Sequence, residues 1–162
     1  MTILNNTIIV NCFIFFITLI YTLLLKNKNK IWITWIFVYL ILLSSLLEQL
    51  TPPVCKEPTF FTSLYGVLHI ILSLYIGFGG LFFGYHKIHL SVTLFIILTW
   101  FIFNNKCYLQ IKYNDFCKLD KKEPFKDIQN IFFHRVLKLK SKIYKWLLII
   151  IVILYDLYHI LY

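Results

Sequence analysis

His86, His89, Asp156 and His159 are the side chains with the most chemistry to offer in this chain, and all four sit near hydrophobic boundaries. His86 and His89 are three residues apart, as are Asp156 and His159, so each pair shares one face of a helix. Imidazole and carboxylate together can ligate a metal ion or hold an exchangeable proton. A carboxylate inside a hydrophobic segment is costly and is a functional candidate by default. The alternative reading places Asp156, six residues from the end of the sequence, among lipid headgroups.

Little else in the sequence carries chemistry. Cys55, Cys107 and Cys117 fall at aqueous boundaries and Cys12 within a hydrophobic segment, with no C-x-x-C pair for zinc or thiol exchange. Free thiols and no disulfide are expected, because the three boundary cysteines would share a reducing compartment. No Ser-His-Asp set, Walker loop or H-E-x-x-H signature is present. The sequence therefore predicts no enzyme and no cofactor.

The elements that must position these residues are hydrophobic helices. Thr7–Leu25 runs nineteen residues without a charge, Ile31–Leu47 seventeen, Thr59–Tyr85 twenty-seven and Ile88–Asn105 eighteen. Ile143–Tyr162 adds a fifth stretch, with Lys145 snorkelling near its start. A bilayer core about 30 Å thick needs about 20 such residues. Mean hydropathy is +0.78 and 60% of residues are hydrophobic, outside the range of soluble domains. The sequence thus predicts an all-α polytopic membrane helix bundle, a single integral membrane domain over residues 1–162. Its spans fall at about 4–25, 31–50, 60–83, 88–103 and 143–162, with a tight turn at Gly84–Lys87. The first span reads as a retained helix, since it lacks a basic leader and a small-x-small cleavage site. The chain holds no alanine and one arginine against fifteen lysines, a bias that tracks A/T-rich codons. That bias also explains the 19% aromatic content more simply than an aromatic-lined binding site does.

Charge is concentrated. Ten of the sixteen basic residues lie between Lys106 and Lys142, which points to anionic lipid headgroups and away from nucleic acid. Phe125, Ile128, Phe132, Val136, Leu139 and Ile143 recur at helical steps, predicting an amphipathic interfacial helix at 124–141. Lys126, Lys138, Lys140 and Lys142 would reach the headgroups from it. With five spans, eleven basic residues face one side and four (Lys26, Lys28, Lys30 and Lys87) the other, placing the long loop in the cytoplasm. The lysines directly after the first span argue the opposite. A re-entrant fourth segment would reconcile the two.

All five glycines fall in the third segment. Ser73-x-x-x-Gly77 and Gly80-x-x-x-Gly84 form a helix-packing stripe, directed either at a second copy of the chain or at neighbouring helices within it. Asn5, Asn6, Asn11, Thr18 and Thr22 are the sparse polar residues from which a channel lining could be built.

Trp100-x-x-x-Asn104-Asn105-Lys106-Cys107-Tyr108-Leu109 resembles an N-N-x-C-x-L element of small multipass membrane proteins of large DNA viruses and some protists, with Gln110 departing from the usual Thr or Ser. The resemblance covers about ten residues. It implies a viral or protist multipass protein and transfers no catalytic role. The expected function is a structural or assembly role in a viral or organellar membrane, with the bilayer, and either further copies or other membrane proteins, as partners. An oligomeric channel or transporter, or a metal or redox protein using the histidines, are the alternatives.

Overall fold

Thr59 and Thr62 close a reciprocal cap at the start of the longest apolar helix. Thr59 Oγ1 accepts from the Thr62 backbone N–H (3.2 Å), and Thr62 Oγ1 accepts from that of Thr59 (2.9 Å). The helix runs Phe60–Phe83 and ends at Gly84, whose φ of 65° is left-handed. That conformation reverses the chain within two residues. In this computed structural model, residues 3–24, 28–50, 55, 59–118 and 141–162 are described. They form six helices and no strand: α1 (Ile3–Leu24), α2 (Lys28–Leu50), α3 (Phe60–Phe83), α4 (His86–Ile102), α5 (Tyr108–Phe116) and α6 (Ser141–Leu161). By length and composition, α3 is the one helix among the described residues apolar enough to cross a membrane; shorter apolar stretches occupy α1, α2, α4 and α6.

Consecutive long helices run antiparallel, as their contacts show. Asn11 Nδ2 of α1 donates to Ser45 Oγ of α2 at 2.7 Å, while Phe15 meets Trp35 nearer the other end. Phe37 of α2 lies against Phe82 and Phe83 at the end of α3. Trp146 at the start of α6 meets Trp100 late in α4, and His159 at its end meets His86. One face of α3 buries Val67 and Ile70 against Val10, Phe37 and Ile41, a dry apolar core. The other faces α4 and α6.

Three sequence expectations change here. The turn is shorter than predicted: α4 begins at His86, so His86 and Lys87 occupy its first turn. The stretch after residue 103 is not an extended polar loop. Asn104 and Asn105 both take positive φ (53° and 63°), a conformation asparagine tolerates, and the chain then forms α5. Phe116 of α5 stacks on Phe61 and Tyr65 of α3, with ring centroids 6.2 and 5.4 Å apart. The expected absence of a disulfide is overturned as a consequence. Folding α5 back onto α3 brings Cys117 to Cys55, just before the α3 cap, and the two are disulfide-bonded with Cα atoms 4.8 Å apart. Buried Tyr113 packs over the bridge. Cys12 and Cys107 take no part in a disulfide.

The interfacial helix expected at 124–141 lies, apart from Ser141, outside the described residues, as do Lys126, Lys138, Lys140 and the Lys142 side chain.

Denatured, unreduced protein should take up two maleimide groups (Cys12 and Cys107), and reduced protein four, by intact mass. Four additions before reduction would refute the bridge.

Candidate functional site

Asp156, wholly buried five residues before the end of α6, sets the geometry of the bundle's α3–α4 turn end. Both its carboxylate oxygens meet imidazoles from the first turn of α4. Oδ2 lies 2.6 Å from His89 Nδ1 and Oδ1 lies 3.0 Å from His86 Nδ1. The 86/89 spacing places both rings on the helix face that α6 packs against. His89 is 2% exposed, and its second nitrogen, Nε2, is 2.8 Å from the Tyr75 carbonyl of α3. The Tyr75 ring closes over the imidazole edge-on at 5.1 Å.

A glycine pair makes room for this. A Cβ at Gly80 would sit 2.6 Å from Asp156 Oδ1 and 2.9 Å from His89 Nδ1. One at Gly79 would sit 2.8 Å from the Tyr75 ring and 2.9 Å from His89 Cδ2. No alanine or serine fits at either position without displacing the cluster. The packing stripe expected from Ser73, Gly77, Gly80 and Gly84 is therefore corrected within the chain. Only Gly80 is a close approach. Gly77 has nothing within 4 Å, Gly84 is the helix cap, and Ser73 turns its hydroxyl toward His69 Nε2 at 3.5 Å. Gly79, which the stripe omits, is the second tight contact.

His159 joins from α6, its ring stacked on His86 at 4.5 Å with planes 13° apart, and Tyr155 meets both rings edge-on. This side is open. A cavity of about 430 Å³ is lined by Gly84, Tyr85, His86, Lys87, Ile88, His159 and Ile160. The cluster thus has a sealed inner member, His89, and an outer member, His86, at a mouth.

The hydrogen bonds count the protons. The Tyr75 carbonyl can only accept, so His89 Nε2 carries a hydrogen. The short Nδ1–Oδ2 line then holds a second proton, giving an imidazolium beside a carboxylate or a neutral imidazole beside a carboxylic acid. With His86 Nδ1–H donating to Oδ1, every line is filled and the cluster is neutral as a whole. One further proton can be taken at His86 Nε2, the nitrogen turned from Asp156. Metal ligation fits poorly, because both His89 nitrogens are already engaged. Among the described residues no group of three or more His, Cys, Asp or Glu side chains is arranged to hold a metal ion.

Sequence spacing pointed to His86, His89, Asp156 and His159, and the structure brings these four together. It did not point to the Tyr75 carbonyl or to Gly79, which only the crossing of α3 over α4 reveals.

Gly80→Ala should cost about 1–3 kcal/mol by overpacking. Gly77→Ala should be neutral or gain up to about 1 kcal/mol from lost glycine entropy. Thermal melts in detergent check the contrast, and equal effects would contradict the close approach at Gly80. No family model matches the chain, and no curated protein or solved structure matches it.

Proposed function

We propose that the chain is a five-span integral membrane protein whose working part is a proton-binding centre at one end of the bundle. The membrane reading is supported by which residues face outward. Phe13, Leu23, Trp32, Phe95, Phe101 and Leu161 are each at least 66% exposed, while Asn11, Ser45, His69, His89, Thr93 and Asp156 are buried. In water that distribution is inverted; in lipid it is the expected one. α4, at seventeen residues, reaches about 25 Å, enough for a thin bilayer.

The observation that carries the proton reading is Asp156, unexposed and bracketed by two imidazoles, of which one is sealed and one reaches a cavity. The titratable groups facing the centre are His86 and His89 from α4, Tyr75 from α3, and Tyr155 and His159 from α6, with Lys87 at the mouth. In the neutral state no net charge is buried, which low dielectric demands. A proton arriving at His86 Nε2 can pass on the one at Nδ1 to Asp156 Oδ1, leaving a neutral imidazole outside and a carboxylic acid beside a His89 imidazolium, which then carries the one added charge. A purely structural or assembly role leaves this centre unexplained, since apolar side chains of similar volume would pack at least as stably.

The Cys55–Cys117 bridge also bears on orientation. Disulfides persist in oxidising compartments, so the α5 end faces away from the cytosol and the His86 mouth toward it. This reverses the orientation that the long lysine-rich loop suggests on its own.

Two measurements test the proposal. Infrared difference spectra of reconstituted protein should show a carboxylic C=O band on acidification that Asp156→Asn lacks, while the variant still melts as one transition. A spectrum identical in wild type and variant would eliminate the centre. In sealed vesicles of known sidedness, an impermeant maleimide should reach Cys107 and a cysteine placed by Lys87→Cys from opposite faces, Cys107 from the non-cytosolic one. Labelling of both from one face would mean that α4 does not cross.

A further inference from the structure

Resting on the proton-binding reading, we infer that the centre is the entrance of a proton path that continues along the α3–α4 seam to His69, making the protein a proton conductor across the membrane. Gly80 fixes the direction of the seam, because its missing side chain faces both Asp156 and His89. Ser73 and His69 lie seven and eleven residues before it, two and three helical turns, and so share its face. His69 is 6% exposed and nine residues into α3, about 13 Å from its start, near the middle of the span. An ionisable side chain at that depth is expensive and marks a pathway or relay by default. From α4, Thr93 lies one turn beyond His89 on the same helix face. It is 1% exposed, and its hydroxyl has no hydrogen-bond partner, in contrast to Thr18, Thr22 and Thr99, which donate to carbonyls of their own helices.

An unpaired hydroxyl in a lipid-surrounded bundle is a cost without return unless it serves a transient partner. A buried water is the chemistry that fits: it accepts from and donates to neutral oxygens, and it relays a proton by exchanging one O–H bond for another. The seam then reads His86, Asp156 and His89, Thr93 with water, Ser73, His69, alternating groups that bind a proton with groups that pass one. Gly80 and His69 are separated by about 16 Å along the helix, so several water positions are needed between them. Each turnover takes one proton from the cavity side to His69 and, across the remaining stretch of α3, about 13 Å, through water positions to the α5 side, and leaves the protein as it began; the proton gradient supplies the driving force. Among the described side chains of α1, Thr18 and Thr22 bond their own backbone, and Asn11 donates to Ser45 while its Oδ1 has no partner.

Proteoliposomes enclosing a pH-sensitive dye, with a valinomycin-clamped potassium gradient as driving force, test this. Wild-type protein should acidify the lumen well above protein-free liposomes. Thr93→Val, which keeps the shape, and His69→Phe should each lower the flux at least tenfold, keep the Asp156-dependent infrared band and melt no earlier than Asp156→Asn. Asp156→Asn should lose both band and flux. Wild-type flux no higher than protein-free liposomes with the band present would overturn conduction and leave the proton-binding centre standing. Wild-type flux in both Thr93→Val and His69→Phe would overturn the seam as its route. Absence of both band and flux in wild type would overturn the centre itself, and conduction with it.

Discussion

A carboxylate with no exposure, set among helices whose outer surfaces are aromatic and aliphatic, is the constraint on which this end of the bundle is built. Asp156 cannot be ionised there alone, and it cannot reach water as α6 is placed. Two imidazoles meet its two oxygens, and they must come from one helical turn to arrive together. That turn must start directly after α3, which is why the link between α3 and α4 is two residues long and begins with a left-handed glycine. α3 must then pass close enough for a backbone carbonyl to receive His89 Nε2, which excludes a Cβ at Gly79 and Gly80. The glycine pair, the tight turn and the histidine spacing are three consequences of one buried charge.

The same constraint separates a chemical role from a packing role. A buried ion pair seldom stabilises a fold relative to apolar residues of the same volume, because desolvation offsets most of the attraction. This bundle already has an apolar solution to packing on the other face of α3, where Val67 and Ile70 meet Val10, Phe37 and Ile41. Nothing about helix association therefore requires His89 and Asp156. Under the proposed function, what the pair would provide, and leucines would not, is a place where a proton can be held at a defined atom and delivered from a cavity through His86.

The helices and the histidine–aspartate grouping were legible because each rests on short-range periodicity. Uncharged runs mark the helices, and residues three apart share a face. Antiparallel succession of helices then carries 86, 89, 156 and 159 to one end. What stayed hidden depends on contacts between segments distant in sequence. Tyr108–Phe116 contains Gln110, Lys112, Asn114 and Asp115 and shows no long apolar stripe, so its order comes from stacking on Phe61 and Tyr65 of α3. The boundary cysteines shared a side, but the lysine-rich loop marked that side as reducing and the thiols read as free; only the packing of α5 shows Cys117 held against Cys55, sixty-two positions away. Gly77 and Gly80 look alike in a small-x-x-x-small pattern, and only the neighbours around them show that one faces open space and the other a carboxylate.

Two rules for orientation compete in this chain, and their physical bases differ. Lysine excess acts during insertion, chiefly through short loops and residues close to helix ends, and the first helix usually dominates. Lys26, Lys28 and Lys30 follow the first helix directly, while in the long loop Lys106 stands four residues after α4 and Lys138 and Lys140 within three residues of the start of α6. The short cluster, which follows the first helix, favours the α3–α4 turn end as the cytosolic side, and the long one favours the opposite end. A disulfide answers to a different quantity, the redox poise around it, and the Cys55–Cys117 bridge argues for an oxidising compartment at the opposite end. The first-helix lysines and the disulfide thus agree on the orientation we propose, against the long loop. In that proposed orientation the mouth beside His86 would open to the cytosol, and a relay through Asp156 toward His69 would run outward, from the cytosolic face to the side where α5 is clamped.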